Sequence, residues 1–200
     1  MARAAAVLAD EEGLECLTLA RVAERLGVRT PSLYNHLPGL SGLRREMAVL
    51  GVRELGRRLG RAAIGKSSDE AIEALADAYR AFVKERPGLY AASLPASGSS
   101  GSPDPELQAA EQEVVEVVLA VIAPYRLRGE DALHAVRGLR SALHGFATLE
   151  SAGGFGLKLD VDESFHRLVR TLVEGLRQES AQGQAASAAR PGRSDGDSRK

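Results

Sequence analysis

Between Thr18 and Pro38 the chain carries two helix starts and two helix stops, which leaves room for two short helices and almost nothing else. Thr18 is suited to cap a helix over residues 19–26, because its hydroxyl can accept a free N–H of the first turn; Gly27 then stops it. Thr30 is suited to cap a second helix, with Pro31 at the first helical position, where a missing N–H does no harm. Pro38-Gly39 ends that helix near Leu37. Val22, Ala23 and Leu26 can pack the first helix on a core, and Leu33 can anchor the second. Tyr34, Asn35 and His36 then stand side by side, which suits an outward face and not a core helix. Such a pair has the shape of a helix-turn-helix, whose second helix meets phosphates and base edges in a major groove. A solvated surface turn fits the same residues.

The rest of the sequence reads as helix almost throughout. Ala, Leu, Glu and Arg dominate, and β-branched runs with period-2 alternation are missing. Residues 2–12 predict a first helix stopped by Gly13. A fourth runs from Ser41 to about Ala63 and is weakened by Gly51, Gly56 and Gly60. Further helices are expected from Ser67-Ser68 onward, from Pro87 to about Leu94, over 106–125, over 130–152 and over 162–179. Residues 95–105, PASGSSGSPDP, read as a flexible connector. After Ser180 the composition turns to Gln, Ala, Ser, Gly and charge, and predicts disorder. The expected organisation is therefore a DNA-binding-type head over 1–48, a helical domain over 49–180 and a disordered tail over 181–200.

Net charge is −1, which alone argues against a nucleic-acid partner, but the charge is unevenly distributed. Residues 1–66 carry a net +4 and residues 67–180 a net −7, so any attraction for phosphate is concentrated at the N-terminal end. No run of about 18 apolar residues exists to span a membrane, and no secretory leader is apparent. Cys16 is the only cysteine, so it forms no internal disulfide and no cysteine-rich zinc site; a reducing cytoplasm is the expected setting. His36, His134, His144 and His166 include no i, i+4 pair for a helical metal site. The glycines of GGFGL terminate a helix and do not cradle a phosphate. No catalytic set, metal or cofactor is expected.

The segment LTLARVAERLGVRTPSLYNHL, preceded by EEGLECLT, resembles the DNA-binding region of the TetR family of transcriptional regulators over roughly residues 2–50. The resemblance implies an all-α homodimer of about nine helices. Three N-terminal helices bind a double-stranded operator, the fourth connects, and the remainder bind a small molecule and dimerise. By position, Thr18, Ser32, Tyr34 and His36 would hold the DNA backbone. Arg29, Thr30 and Asn35 would read bases or the groove, Arg29 having bidentate guanine geometry available. Leu40 stands where the family often has a phosphate-binding Lys, helix two offers Leu19 and Ala20 where polar contacts are common, and no basic arm precedes helix one. Arg44, or Arg45 beside it, would replace the Lys.

In the C-terminal half, Leu143-His144-Gly145 and the following GGFGL resemble a TetR-type C-terminal domain named for a Trp-His-Gly motif, with Leu in place of Trp. Apolar residues cover more than one side of the helix over 130–152, which predicts burial by a partner subunit. The expected isologous four-helix interface uses Leu139, Leu143, Phe146, Phe165, Leu168, Leu172 and Leu176; an internal core fits the same pattern. Tyr79, Phe82, Tyr90, Val117, Val121, Tyr125, Ser141 and His144 are the candidate ligand contacts. With so few polar groups among them, they favour an apolar or aromatic effector. The aromatics read equally as plain core, and His144 as a hydrogen-bonded core histidine. Two functions follow: a ligand-responsive regulator, expected to be a repressor, on a near-palindromic operator, or a helical homodimer that binds a small apolar molecule without sequence-specific DNA binding.

Overall fold

The structure is a computed structural model that describes residues 1–35, 37–94 and 104–188. His36, most of the connector (residues 95–103) and the last twelve residues lie outside the described residues. Among the described residues there are nine α-helices and no strand, and no helix is long and apolar enough to cross a membrane. The helices are α1 Ala2–Glu12, α2 Leu19–Leu26, α3 Thr30–Tyr34, α4 Gly39–Ala63, α5 Ser68–Glu85, α6 Pro87–Ser93, α7 Pro105–Ile122, α8 Glu130–Ser151 and α9 Val161–Ala188.

The local signals act as their chemistry demands. The Thr18 hydroxyl accepts the Arg21 N–H at 3.3 Å, and Gly27 closes α2 in the left-handed conformation at φ 66°. Asp104, at the edge of the connector, caps α7 by accepting the N–H groups of Glu106 and Leu107 at 3.1 and 3.3 Å. Asp160 does the same for α9 through the Glu163 N–H at 3.0 Å.

Four expectations change. Thr30 is the first residue of α3 and not its cap; Arg29 occupies the cap position without a side-chain bond. The helix ends at Tyr34 and not near Leu37, although the Leu37 N–H still donates to the Leu33 carbonyl at 3.1 Å. Leu26 is 39% exposed and does not anchor α2; Leu19, Val22 and Ala23 do. Finally, α9 does not stop at Glu179 but continues to Ala188. Alanine and glutamine in that stretch favour helix, Gly183 costs only about 1 kcal/mol, and the first proline is Pro191.

One apolar core runs from the head into the body. Leu8, Leu17, Val22, Leu33, Leu43 and Met47 fill the head. Leu55, Leu59, Ile72, Phe82, Leu89 and Ile122 continue it below. Helix α4 belongs to both parts, packing on α1 above and on α5, α6 and α7 below. The head is also pinned to the body by Asp10 at the end of α1. Its carboxylate accepts the Leu89 N–H of α6 at 2.9 Å and the Arg86 Nε–H at 2.6 Å. Here Gly88 lets the two helices touch: a Cβ on it would sit 2.2 Å from the Ala9 backbone.

Candidate nucleic-acid interface and ligand cavity

Helix α3 buries one side chain, Leu33, at 3% exposure. Arg29, Pro31, Ser32, Tyr34 and Asn35 are exposed around it, and Thr30 is half-buried. Tyr34 is 60% exposed, unusual for an aromatic side chain with no packing task. Thr18 lies exposed at the start of α2 and Arg44 on the first turns of α4. His36 lies outside the described residues.

The basic residues of the head divide into two sets. Arg21 pairs with Glu12. Arg25 forms a fork on Glu11 at 2.6 and 3.0 Å, which lowers the carboxyl below its ordinary range, chiefly through that hydrogen bond. Arg45, the second residue expected to replace the family Lys, instead grips Asp104 and Glu106 at the start of α7, at 2.8 and 3.0 Å. Arg29 and Arg44 are exposed and form no ion pair among the described residues.

Below the head, α4, α5, α6, α7 and α8 enclose a cavity of about 420 Å³, within the range of small-molecule sites. Val52, Leu55 and Leu59 form one wall, and Val115 and Val118 another. Tyr79 and Tyr90 supply hydroxyls; Glu111 and Arg140 stand at its edge. The phenol oxygens lie 2.6 Å apart, and the Tyr90 oxygen lies 2.5 Å from His144 Nδ1. Burial raises both phenols above their ordinary range, with the Tyr79 contact adding to the rise at Tyr90, so both stay protonated at neutral pH.

A three-helix head, joined through one long helix to a helical body, is the arrangement that the comparisons with known proteins match. Residues 72–172 fit the family described as Tetracyclin repressor-like, C-terminal domain. An uncharacterized HTH-type transcriptional regulator of Mycobacterium tuberculosis is 36% identical over 180 residues, covering 89% of this chain and 80% of that one. The chain belongs to the TetR family of transcriptional regulators. A second such regulator, from Bacillus subtilis, is 36% identical over 174 residues, covering 86% of this chain and 88% of its own. The structure of a TetR variant from Acinetobacter baumannii in complex with minocycline shares the fold at TM-score 0.66 and 19% identity, over 90% of this chain and 95% of that one. Members of the TetR family are regulators and not enzymes, so the cavity needs no catalytic reading.

The cavity takes in only part of the residues expected to contact ligand. Tyr79 and Tyr90 line it, and His144 reaches it through Tyr90. Phe82 is fully buried behind it, with the Arg58 guanidinium 5.1 Å above its ring. Val117 faces a separate surface groove beside Gly56 and Gly60, and Val121 one beside Ile64 and Pro124. Tyr125 is buried elsewhere and donates to Asp69 at 2.5 Å, while Ser141 is exposed.

Leu139 and Leu143, expected at a dimer interface, line the cavity instead. Phe165 and Leu176 are also buried within the chain, at 0% and 6% exposure. The reason is that α8 has two apolar faces and the inner one is already filled by α5 and α7. Phe146, Leu168 and Leu172 are half-buried. Gly138 and Gly145 on α8 and Gly175 on α9 have open space where a Cβ would stand, and Leu133 and Leu149 are each 52% exposed.

Arg140, Glu111 and Gln108 are cavity residues that the sequence pattern does not single out by residue type. A signal for them exists: Val136, Leu139, Arg140 and Leu143 recur at i, i+3, i+4 and i+7, as do Gln108, Glu111, Gln112 and Val115. Attending only to aromatic and apolar positions discards the charged members of both cavity-facing stripes.

Proposed function

We propose that this regulator is a ligand-responsive repressor that binds a near-palindromic DNA operator as a homodimer. The observation that carries this reading is α3 itself, which buries Leu33 and leaves Arg29, Ser32, Tyr34 and Asn35 outward with no packing task. Tyr34, Ser32 and Thr18 would hold phosphates, with His36 joining them from outside the described residues; Arg29, Thr30 and Asn35 would read the groove. Arg44 would take the place of the Lys that Leu40 displaces. Two such heads would meet successive major grooves about 34 Å apart. The second subunit would cover the outer face of α8 and α9 around Gly138, Gly145, Leu168, Leu172 and Gly175. That face departs from the one expected from sequence, in that only Phe146, Leu168 and Leu172 of the expected set remain exposed enough to take part.

An apolar or aromatic effector would occupy the 420 Å³ cavity. In the minocycline complex that shares the fold, a TetR protein holds a small molecule, and the same role is proposed for this chain. Helix α4, in contact with both cavity and head, would transmit occupancy, with a coupling of about 1–3 kcal/mol between effector and operator.

Selection from randomised duplexes followed by a gel shift tests the DNA arm. The expected result is one enriched two-fold-symmetric sequence. Arg29→Ala should relax its base preference, and Arg44→Ala should flatten the salt slope by about 0.9 for the one phosphate it no longer neutralises. No enrichment by the folded dimer would instead leave a small-molecule-binding homodimer that reads no DNA. The engagement of Arg21, Arg25 and Arg45 by carboxylates favours that second reading.

A further inference from the structure

The cavity of the proposed effector site is apolar along most of its length, yet it holds two full charges, Glu111 on α7 and Arg140 on α8. They do not pair with each other, and neither forms an ion pair elsewhere among the described residues. Arg140 is exposed and Glu111 half-buried, so each is able to pair with a ligand group of opposite sign.

The surroundings of the two charges differ. Glu111, half-buried on α7, is neighboured by the exposed amides Gln108 and Gln112. Arg140 stands beside a chain of proton carriers, Tyr79, Tyr90 and His144, linked at 2.6 and 2.5 Å, and its positive charge acts on both phenols. Each phenol has one proton to donate. If His144 Nδ1 carries a hydrogen, it donates to Tyr90, Tyr90 donates to Tyr79, and the Tyr79 O–H is left free for the chamber. Both phenols are held in their protonated, donating form by burial. Guanidinium and phenol thus supply N–H and O–H donors to the same cavity, which is what a carboxylate requires.

We propose that the effector is an amphipathic organic acid, its carboxylate held by Arg140 and the Tyr79 hydroxyl and its hydrocarbon body lying against Val52, Leu55, Leu59 and Val118. This rests on the cavity being the effector site and adds the chemical class that fits it. Glu111, of the same sign as the carboxylate, takes no part.

Decanoate, decanol and decylamine are the probes, titrated calorimetrically below their aggregation concentrations into the full chain. Decanoate is expected to bind at least tenfold tighter than decanol. Arg140→Gln should remove that preference while leaving decanol binding unchanged, Tyr79→Phe should reduce it several-fold, and Glu111→Gln should not weaken it. The unchanged decanol affinity shows that a variant cavity is still formed. The proposal is overturned if decanoate fails to bind, if Arg140→Gln leaves its affinity intact, or if decylamine binds best and loses its affinity in Glu111→Gln. The operator gel shift is an independent readout. Decanoate binding by a chain that enriches no DNA sinks the regulator reading alone, and operator binding by a chain indifferent to decanoate sinks this one alone.

Discussion

Replacing Gly88 by alanine tests whether head and body are joined as tightly as the backbone contact implies. The added Cβ would meet the Ala9 carbonyl carbon and oxygen at 2.2 Å and the Asp10 nitrogen at 2.5 Å, all backbone atoms. Ordinary contact begins near 3.4 Å, so α1 and α6 must separate by about 1.2 Å, since no rotamer can give way. That retreat stretches the 2.9 Å bond from the Leu89 N–H to Asp10 beyond hydrogen-bonding range. Overpacking costs about 1–3 kcal/mol and breaking a charge-assisted bond about 1.5–3 kcal/mol. Alanine in a helix returns about 1 kcal/mol relative to glycine. A net loss of about 1.5–5 kcal/mol follows, a fall in melting temperature of roughly 10 °C for a chain of this size. Urea titration followed by far-UV circular dichroism, at one protein concentration, measures it. Gly156→Ala is the control, because nothing lies within 4 Å of its Cβ position. Equal urea midpoints for the two variants would refute the argument.

Acid and association tests follow. The hydrogen bonds from Arg80, with help from Lys84, hold the Glu150 carboxyl down at about 2 against burial, which opposes them. A carboxyl depressed in the folded state stabilises fully above its unfolded value of 4.5 and loses that contribution as pH falls toward about 2. Wild type should therefore lose about 2–3 kcal/mol over that window, and Glu150→Gln should lose less; parallel urea midpoints at pH 5, 4 and 3 would rule this out. Gly145→Arg, at an open position of α8, should convert the proposed dimer to monomer in sedimentation without changing helix content, and an unaltered dimer removes this face from the interface. By contrast Leu143→Ala, at a side chain 2% exposed, should cost about 2–5 kcal/mol of fold stability, read as a lower urea midpoint.

What the sequence revealed was governed by distance along the chain. The Thr18 cap and the Gly27 stop depend on neighbours within a turn, and α2 has the limits they specify. Leu33 as the inward residue of α3 was legible from the same few positions. The end of α3 and the exposure of Leu26 depend on how the head closes, which local pattern does not encode. For α8 the periodicity was correct but its assignment was not. Two apolar faces on one helix do not say which is internal, so Leu139 and Leu143 were expected outside and are found on the cavity wall. Arg45 pairs with residues about sixty positions away, a separation at which no spacing rule operates.

Helix α4 has 25 residues, so it is about 37 Å long at 1.5 Å per residue. From Leu59 on the cavity wall to Gly39 at the head the arm is roughly 30 Å. A tilt of about 5° pivoting at the lower end therefore displaces the upper end by about 2.6 Å, close to the 3.4 Å rise between stacked bases. In the proposed repressor, such an arm would turn a tilt of a few degrees into an error of nearly one base step at each half-site.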